Sequence, residues 1–383
     1  MLRATETALA RRYPPTNAIF HDPALLELEQ EQIFARGWVL VGTADQLPAP
    51  NTRFVYEAQN RSLLITRDEE GKLHGFVNAC THRGTRLCAG PGEGRITCPY
   101  HGWVFGNDGR LLGASRRTGF PPFEDADYGL RPVSVEQVGA FLFAHGETAP
   151  AVGLREYLGA MAGHLETISQ SVGTFLVETR LTIEGNWKLA MSGSVEDYHA
   201  PFVHRQATDR VRYGENTTTL EENGHSWFRL DAPVPPALRV ALRVLTGKAP
   251  RPDLASYCFF PNVTIVTIWS IVQVSNWIPV GPGRTLRVTR YFAERRPPGR
   301  FSPGRLLVPL LAGIVRRRSR RIPAEDQWIV GEAQIGTKSS PTQLRGPAHA
   351  QEARVEHLLA EVARRLGYRY RDEADETAAS RRA

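Results

Sequence analysis

The spacing of apolar residues changes character along this chain, and each change predicts a different kind of element. Between residues 14 and 37, Leu25, Leu26, Leu28, Ile33 and Phe34 fall at partly helical intervals, which predicts a lead-in ending in a helix. From Trp38 the apolar residues come in short β-rich runs, Trp38–Gly42, Phe54–Ala58, Ser62–Arg67 and His74–Asn78, separated by turn residues such as Glu70-Gly71. The pattern continues to about Phe143, with Asn107-Asp108-Gly109 as a hairpin-turn signal. It predicts a small antiparallel β domain.

A helical stretch is then predicted over about Leu154–Gln170, a strand over Thr174–Ile183, and a helix opening at Asn186-Trp187-Lys188. Further strands are expected at Ser226–Leu230, Ser256–Phe260, Thr264–Trp277 and Thr285–Ala293, broken near Asn262 and at Pro279-Val280-Gly281-Pro282-Gly283. From Glu325 onward the chain reads as helical, with Val355, Leu358, Leu359, Val362 and Leu366 on one helical face. The fold class expected is α+β: a small antiparallel β domain ahead of a mixed antiparallel sheet with long flanking helices. The expected division is a lead-in over 1–37 that packs on the larger domain, a β domain over 38–145, and a larger domain over 146–383.

Length agrees with two domains, or one with an insertion, at 383 residues. Apolar content of 42% is enough for a buried core, and 23% charged residues is ordinary for a globular protein. Met1–Arg12 has no apolar core of signal-peptide length. The longest apolar run, Leu306–Val315, contains Pro309 and is too short to span a bilayer. A soluble cytoplasmic protein is expected. The four cysteines, Cys80, Cys88, Cys98 and Cys258, do not make a disulfide framework in a chain of this length.

Two of them sit in a pattern that binds metal. The chain reads Cys80-Thr81-His82-Arg83-Gly84 and, after an interval, Cys98-Pro99-Tyr100-His101-Gly102-Trp103. Two glycine-bearing loops can bring two thiolates and two imidazoles together. The thiolates suit one iron of a two-iron cluster and the imidazoles the other, and neutral nitrogen in place of anionic sulfur raises the reduction potential. Tetrahedral zinc is the alternative for such a donor set, although the spacing is unlike that of a finger with His-x-x-x-His on a helix.

This block, with Phe76-Val77-Asn78-Ala79 before it, resembles the oxygenase branch of the Rieske domain. Where the respiratory branch has a cysteine of an extra disulfide, this chain has Tyr100. Cys88 has no counterpart in the pattern and reads as a small buried hydrophobe.

A second set follows in Glu196-Asp197-Tyr198-His199-Ala200-Pro201-Phe202-Val203-His204. Two His five residues apart point about 140° apart on a regular helix, so they cannot share an ion unless the helix breaks, and Pro201 supplies a break. Asp326 offers a carboxylate. Two His and one carboxylate on one face of iron(II) leave positions open for dioxygen. Taken alone, each of these His reads as a core or surface residue; the upstream cluster motif reverses that reading. Glu196 is placed three residues before His199, on the same face if the segment is helical, while Asp197 reads as a solvated neighbour or local acceptor.

Nearly the whole chain resembles the α subunits of ring-hydroxylating-type Rieske non-heme iron oxygenases. The likeness includes Trp38–Gly42, Asn186–Lys188, Phe259-Phe260-Pro261-Asn262, and Asp326 with Gln334 and Gly336. It implies a helix-grip (START-like) catalytic domain, a curved antiparallel sheet wrapped on a long helix. It implies a [2Fe-2S] cluster on Cys80, His82, Cys98 and His101, and a mononuclear Fe(II) on His199, His204 and Asp326. It also implies that Glu196 hydrogen-bonds His199 and takes electrons from the cluster of a neighbouring subunit in a homotrimer. Electrons would come from NAD(P)H through a flavin reductase, a ferredoxin, or both. One departure is Ser192-Gly193, where many relatives carry Glu-Asn.

The short length is like that of α-only relatives, which implies monooxygenation, hydroxylation or demethylation, of a small organic substrate; cis-dihydroxylation of an aromatic ring is the alternative. Phe259, Val263, Ile265, Ile268 and Val274 are candidates to line the pocket, against a plain role in the sheet core. Two rivals from other classes are an electron-transfer protein with only the cluster, and a ligand-binding helix-grip protein with a zinc knuckle.

The net charge of +7 owes much to Arg316–Arg318, Arg320, Arg321 and the tail at Arg382. Basic and aromatic residues are not interleaved on one element, so nucleic acid is not expected as a partner. A solvated basic face, or a dock for an acidic electron donor, accounts for the charge. Contact of Leu306–Arg321 with a membrane is not expected.

Overall fold

The computed structural model describes residues 16–58, 61–204, 217–295, 308–318, 322–342 and 345–370. The predictions that touch Met1–Pro15, Leu306, Leu307, Arg320, Arg321 and Arg382 lie, to that extent, outside the described residues. The chain divides into two compact units, one of residues 35–157 and one of residues 1–34 with 158–383.

The first unit is built of short antiparallel strands. They are β1 (Val39–Thr43), β2 (Thr52–Ala58), β3 (Arg61–Arg67), β4 (Leu73–Val77), β5 (Gly92–Glu93), β6 (Ile96–Thr97), β7 (Val104–Phe105), β8 (Leu111–Gly113), β9 (Pro132–Val138) and β10 (Phe141–His145). Seven make a sheet in the order β1-β10-β9-β4-β3-β2-β5, and β6-β7-β8 make a second, three-stranded sheet. Leu64, Phe76, Ile96, Trp103, Phe105 and Leu111 fill the core beneath. The predicted turns form where glycine takes the left-handed backbone, with φ +80° at Gly71 and +83° at Gly109.

The second unit is a seven-stranded antiparallel sheet of β11 (Val172–Ile183), β12 (Thr217–Leu220), β13 (Ser226–Asp231), β14 (Asp253–Phe259), β15 (Val263–Ile268), β16 (Ile271–Gly281) and β17 (Arg284–Glu294), in the order β11-β17-β16-β15-β14-β13-β12. The helices Trp187–Val195 and Ala353–Arg365 share a core with one face of this sheet. Trp187, Met191, Val195, Leu358 and Val362 pack there with Ile183, Cys258 and Trp277. Ile19, Phe20, Leu25, Leu26 and Ile33 of the lead-in join the same core, so the lead-in belongs with the larger unit. This is the α+β, helix-grip arrangement expected.

The structure corrects three element predictions. Thr264–Trp277 is two strands, β15 and β16, folded at Trp269-Ser270 with Trp269 at φ +57°. No glycine or asparagine marks this turn, and the Trp269 indole N–H instead donates to the Ala232 carbonyl at 2.8 Å. Pro279 does not break β16, because β15 pairs only as far as Asn276 and Pro279 faces β17 alone; a missing N–H costs nothing on a side with no partner. The helix expected over Leu154–Gln170 divides into Leu154–Leu158 and Met161–Ser171 at Gly159, φ +52°.

Among the described residues, no helix is long and apolar enough to cross a membrane.

Candidate metal centres

The two Cys/His loops of the first unit are folded alike. In each, the glycine four residues after the cysteine donates back to the cysteine carbonyl, Gly84 to Cys80 at 2.8 Å and Gly102 to Cys98 at 3.0 Å. Each cysteine N–H in turn donates to the residue five further on, Cys80 to Thr85 at 2.8 Å and Cys98 to Trp103 at 2.7 Å. Both glycines are left-handed, φ +73° and +67°, a conformation that costs a side chain about 1–2 kcal/mol. This duplicated turn makes one loop the counterpart of the other.

It brings the predicted donors together. Cys80 and Cys98 are buried free thiols, close enough for Cys98 to act on the Cys80 thiol, which burial pushes above its ordinary pKa. The His82 and His101 rings lie 4.8 Å apart between centroids. Trp103 stacks on His82 at 4.8 Å with the planes 6° apart, fixing the imidazole. His82 Nδ1 is buried with no hydrogen-bond partner among the described residues, and burial, then the nearness of His101, favours its neutral form. An unpaired buried imidazole nitrogen beside two buried thiols is a donor set shaped for metal, and it fits an iron–sulfur cluster. Cys88 is half-buried, and its backbone is clasped by the Asn78 side chain at 2.7 and 3.0 Å.

The second set converges within the larger unit. One ligand atom each from His199, His204 and Asp326 lie within 4.8 Å of one another. Asp326 Oδ1 stands 3.0 Å from His204 Nε2 and 3.8 Å from His199 Nε2. The other ring nitrogens face carboxylates: His199 Nδ1 meets Glu196, and His204 Nδ1 lies 2.9 Å from Glu325 Oε2. A carboxylate on Nδ1 holds that proton there and leaves the Nε2 lone pair pointing inward. Burial opposes charge on His204, but Asp326 and Glu325 outweigh it and raise its pKa. Three carboxylates around two imidazoles make a site that favours a cation. The donor set and its outer carboxylates fit a mononuclear iron.

How the chain reaches this geometry differs from the expectation in two ways. The helix Trp187–Val195 has ended before His199, with Glu196 extended at φ −132°, ψ 168°, so Glu196 and His199 meet across a turn and not along a helical face. Pro201 then lies in the first turn of the short helix Ala200–Val203, where its missing N–H is harmless. It starts an element where a break was predicted. Asp197 is buried at 3% exposure, not solvated, and its charge reaches the buried Arg354 guanidinium.

Other supports have roles that the sequence did not disclose, although Asn186 and Gln334 belong to the family likeness. Gln334 accepts from the Asn186 N–H at 2.7 Å and donates to the Phe20 carbonyl at 3.1 Å. It thereby ties the helix Ile322–Ser339, which carries Asp326, to the start of the helix that leads to His199. Asn186 caps that helix by accepting from the Lys188 N–H at 3.0 Å. Beneath it Glu29, fully buried, takes the Lys188 ammonium at 2.5 Å and the Trp187 indole N–H at 2.7 Å. Of the pocket candidates, Phe259, Val263, Ile265 and Val274 share one sheet face by register. None of the five lines the cavity that opens, among the described residues, on the face of Thr179, Arg287, Thr289 and Tyr291. Alternation along the strands puts those four on the other side, while Ile268 shares the cavity's face by register without lining it.

Comparison with known proteins agrees with the geometry. Residues 172–368 match the ring hydroxylating alpha subunit (catalytic domain) family, and residues 37–124 match the Rieske [2Fe-2S] domain. The chain belongs to the ring-hydroxylating α-subunit family of Rieske oxygenases, whose cofactors are an iron–sulfur cluster and a mononuclear iron. It is 28% identical to choline monooxygenase of Spinacia oleracea over 74% of this chain and 64% of that protein. It is 26% identical to the glycine betaine monooxygenase oxygenase subunit of Chromohalobacter salexigens, over 72% of this chain and 70% of the relative. The match thus spans just under two thirds of the spinach enzyme. In fold, the chain is similar to the quaternary ammonium Rieske monooxygenase CntA, with TM-score 0.75 and 22% identity over 92% of this chain and 96% of that one. It is also similar to naphthalene 1,2-dioxygenase, with TM-score 0.77 and 18% identity over 92% of each.

Proposed function

We propose that this chain is the oxygenase component of a Rieske monooxygenase system acting on a small organic molecule. In this reading Cys80, His82, Cys98 and His101 hold the [2Fe-2S] cluster, and His199, His204 and Asp326 hold the mononuclear iron. When bound, these centres supply an electron relay and activation of dioxygen.

The protein's own groups do the positioning. Glu196 and Glu325 keep the Nδ1 protons of His199 and His204, so both Nε2 lone pairs stay aimed at the space beside Asp326. Gln334 and Asn186 hold the two elements that carry these ligands in register. The buried Glu29–Lys188 pair fixes the base of the His-bearing segment. Glu196 is further assigned the junction with the His101 side of a neighbouring subunit in a homotrimer, in keeping with the insights into inter-subunit electron transfer from a quaternary ammonium Rieske monooxygenase. A flavin reductase, with or without a ferredoxin, is the electron donor from NAD(P)H in this reading. The four free cysteines agree with a cytoplasmic setting.

The observation that carries the reading is the convergence of His199, His204 and Asp326, each His held from behind by a carboxylate, in a chain whose other unit pairs Cys80 and Cys98 with His82 and His101. Monooxygenation is favoured because the relatives in sequence, over 72–74% of this chain, are monooxygenases. The test is turnover under ¹⁸O₂ with a compatible reductase and a panel that includes choline and glycine betaine. One labelled oxygen in the organic product supports monooxygenation; two would make the chain a dioxygenase.

A further inference from the structure

We propose that Arg287 receives a carboxylate of the substrate, so that this enzyme acts on organic acids; this rests on the oxygenase reading above and deepens it. A cavity of the larger unit, about 460 Å³, lies between β11, β17 and the helices Val308–Arg318 and Ile322–Ser339. That is room for a small organic ligand. Arg287, Thr289 and Tyr291 alternate along β17 on its wall, and Arg180 and Arg316 add to its lining. By register Arg287 stands between Leu181 of β11 and Trp277 of β16.

Arg287 is 6% exposed. Its guanidinium lies over the Trp277 ring at 4.4 Å, a contact that uses the flat face and leaves the N–H groups around its edge to be satisfied elsewhere. One of these, on Nη2, reaches Ser275 Oγ at a long 3.4 Å, and that hydroxyl already shares a hydrogen bond with Thr289 at 3.0 Å. Nε is buried with no hydrogen-bond partner among the described residues. Among the described residues, no carboxylate forms an ion pair with it. Burial lowers the Arg287 pKa, and Tyr291 and Asp326 are near enough to offset part of that.

A buried guanidinium with an empty edge is costly to keep unless an anion fills it. Planar guanidinium N–H groups match a carboxylate in two-pronged fashion. The rest of the wall agrees in sign. Arg180, Arg287 and Arg316 line it against one acid, Glu178, which is engaged by Arg180 at 2.9 Å and Arg290 at 3.0 Å. Such a wall attracts an anion and repels a simple cation. Ala324 and Gln327, which also line the cavity, flank Asp326 on the helix Ile322–Ser339, so the cavity that holds Arg287 reaches the segment that carries this predicted ligand.

The test is calorimetric titration of the iron- and sulfide-loaded protein with benzoate, benzamide and tetramethylammonium. Benzoate should bind at least about tenfold more tightly than benzamide, the effect of one charge-assisted bond, and tetramethylammonium should not bind. Arg287→Met should erase the preference for benzoate and Arg287→Lys should keep part of it. Equal binding of benzoate and benzamide, preferred binding of tetramethylammonium, or a Met variant with full iron and sulfide that keeps the preference would each overturn the proposal. The wild-type comparison decides the matter even where the Met variant does not fold. Protein that binds benzoate but cannot be loaded with iron and sulfide defeats the oxygenase reading instead.

Discussion

Glu325 and His204 face each other at 2.9 Å, carboxylate to Nδ1, while the neighbouring Asp326 meets Nε2 of the same ring at 3.0 Å. Two consecutive acids on the helix Ile322–Ser339 thus take the two ends of one imidazole, one to orient it and one to share a ligand position with it.

Glu325→Gln keeps an acceptor near Nδ1 but removes its charge, and Glu325→Ala removes both. We expect iron affinity to fall by about 10–100-fold in the Ala variant and less in the Gln variant. Iron titration of protein depleted of mononuclear iron, with the cluster retained, measures this. Unchanged affinity in Glu325→Ala would show that the contact does not orient the ligand.

The buried pair Glu29–Lys188 predicts a sharp asymmetry between breaking and replacing it. Burial lowers the Lys188 pKa, and Glu29 opposes that. Glu29→Ala strands a buried ammonium and an indole N–H, at a cost of about 3–5 kcal/mol. The double change Glu29→Met, Lys188→Met should cost much less. Urea unfolding of both variants checks it.

The Cys/His loops and the His199–His204 pair were legible because their chemistry depends on residue types at short spacing, whereas Asp326, far along the chain, came with the family likeness. The helix face of Ala353–Arg365 and most strands were legible from apolar period. What failed has physical reasons. The Trp269-Ser270 turn is held by a tryptophan indole bond, which no local pattern announces. Glu196 and His199 are three apart in a turn, a geometry that sequence distance cannot tell from a helix. Glu29, Glu325 and Gln334 act over long separations, so nothing near them in the chain marks their partners. Arg287 was hidden because a strand's polar positions read as solvent-facing until the sheet curls over them.

Glu361, on the helix Ala353–Arg365, gives a pH dependence. Burial raises its pKa, but hydrogen bonds and charge from Arg364 and Arg365 outweigh that and hold it below its ordinary value of 4.5. The carboxylate therefore stabilises the fold above pH 4.5, and this is lost as pH falls through the lower folded value. Glu361→Gln should be less stable than wild type at neutral pH, with the gap closing in acid. Thermal unfolding across pH 3–7 measures the gap; a constant gap contradicts the assignment.

Gly84 has open space where a side chain would go, so Gly84→Ala isolates backbone strain. About 1–2 kcal/mol should be lost for the left-handed φ, read by thermal unfolding, with weaker retention of acid-labile sulfide. Full stability and full sulfide would show that the loop tolerates another conformation.

The most direct test of two metal centres in one chain is the ratio of iron to acid-labile sulfide in anaerobically purified protein, wild type beside His204→Ala. The wild type should hold about three irons and two sulfides per chain, and the variant about two of each, since only the mononuclear iron is lost. A wild type without sulfide, with zinc in place of iron, or with the same ratio as the variant would contradict the account.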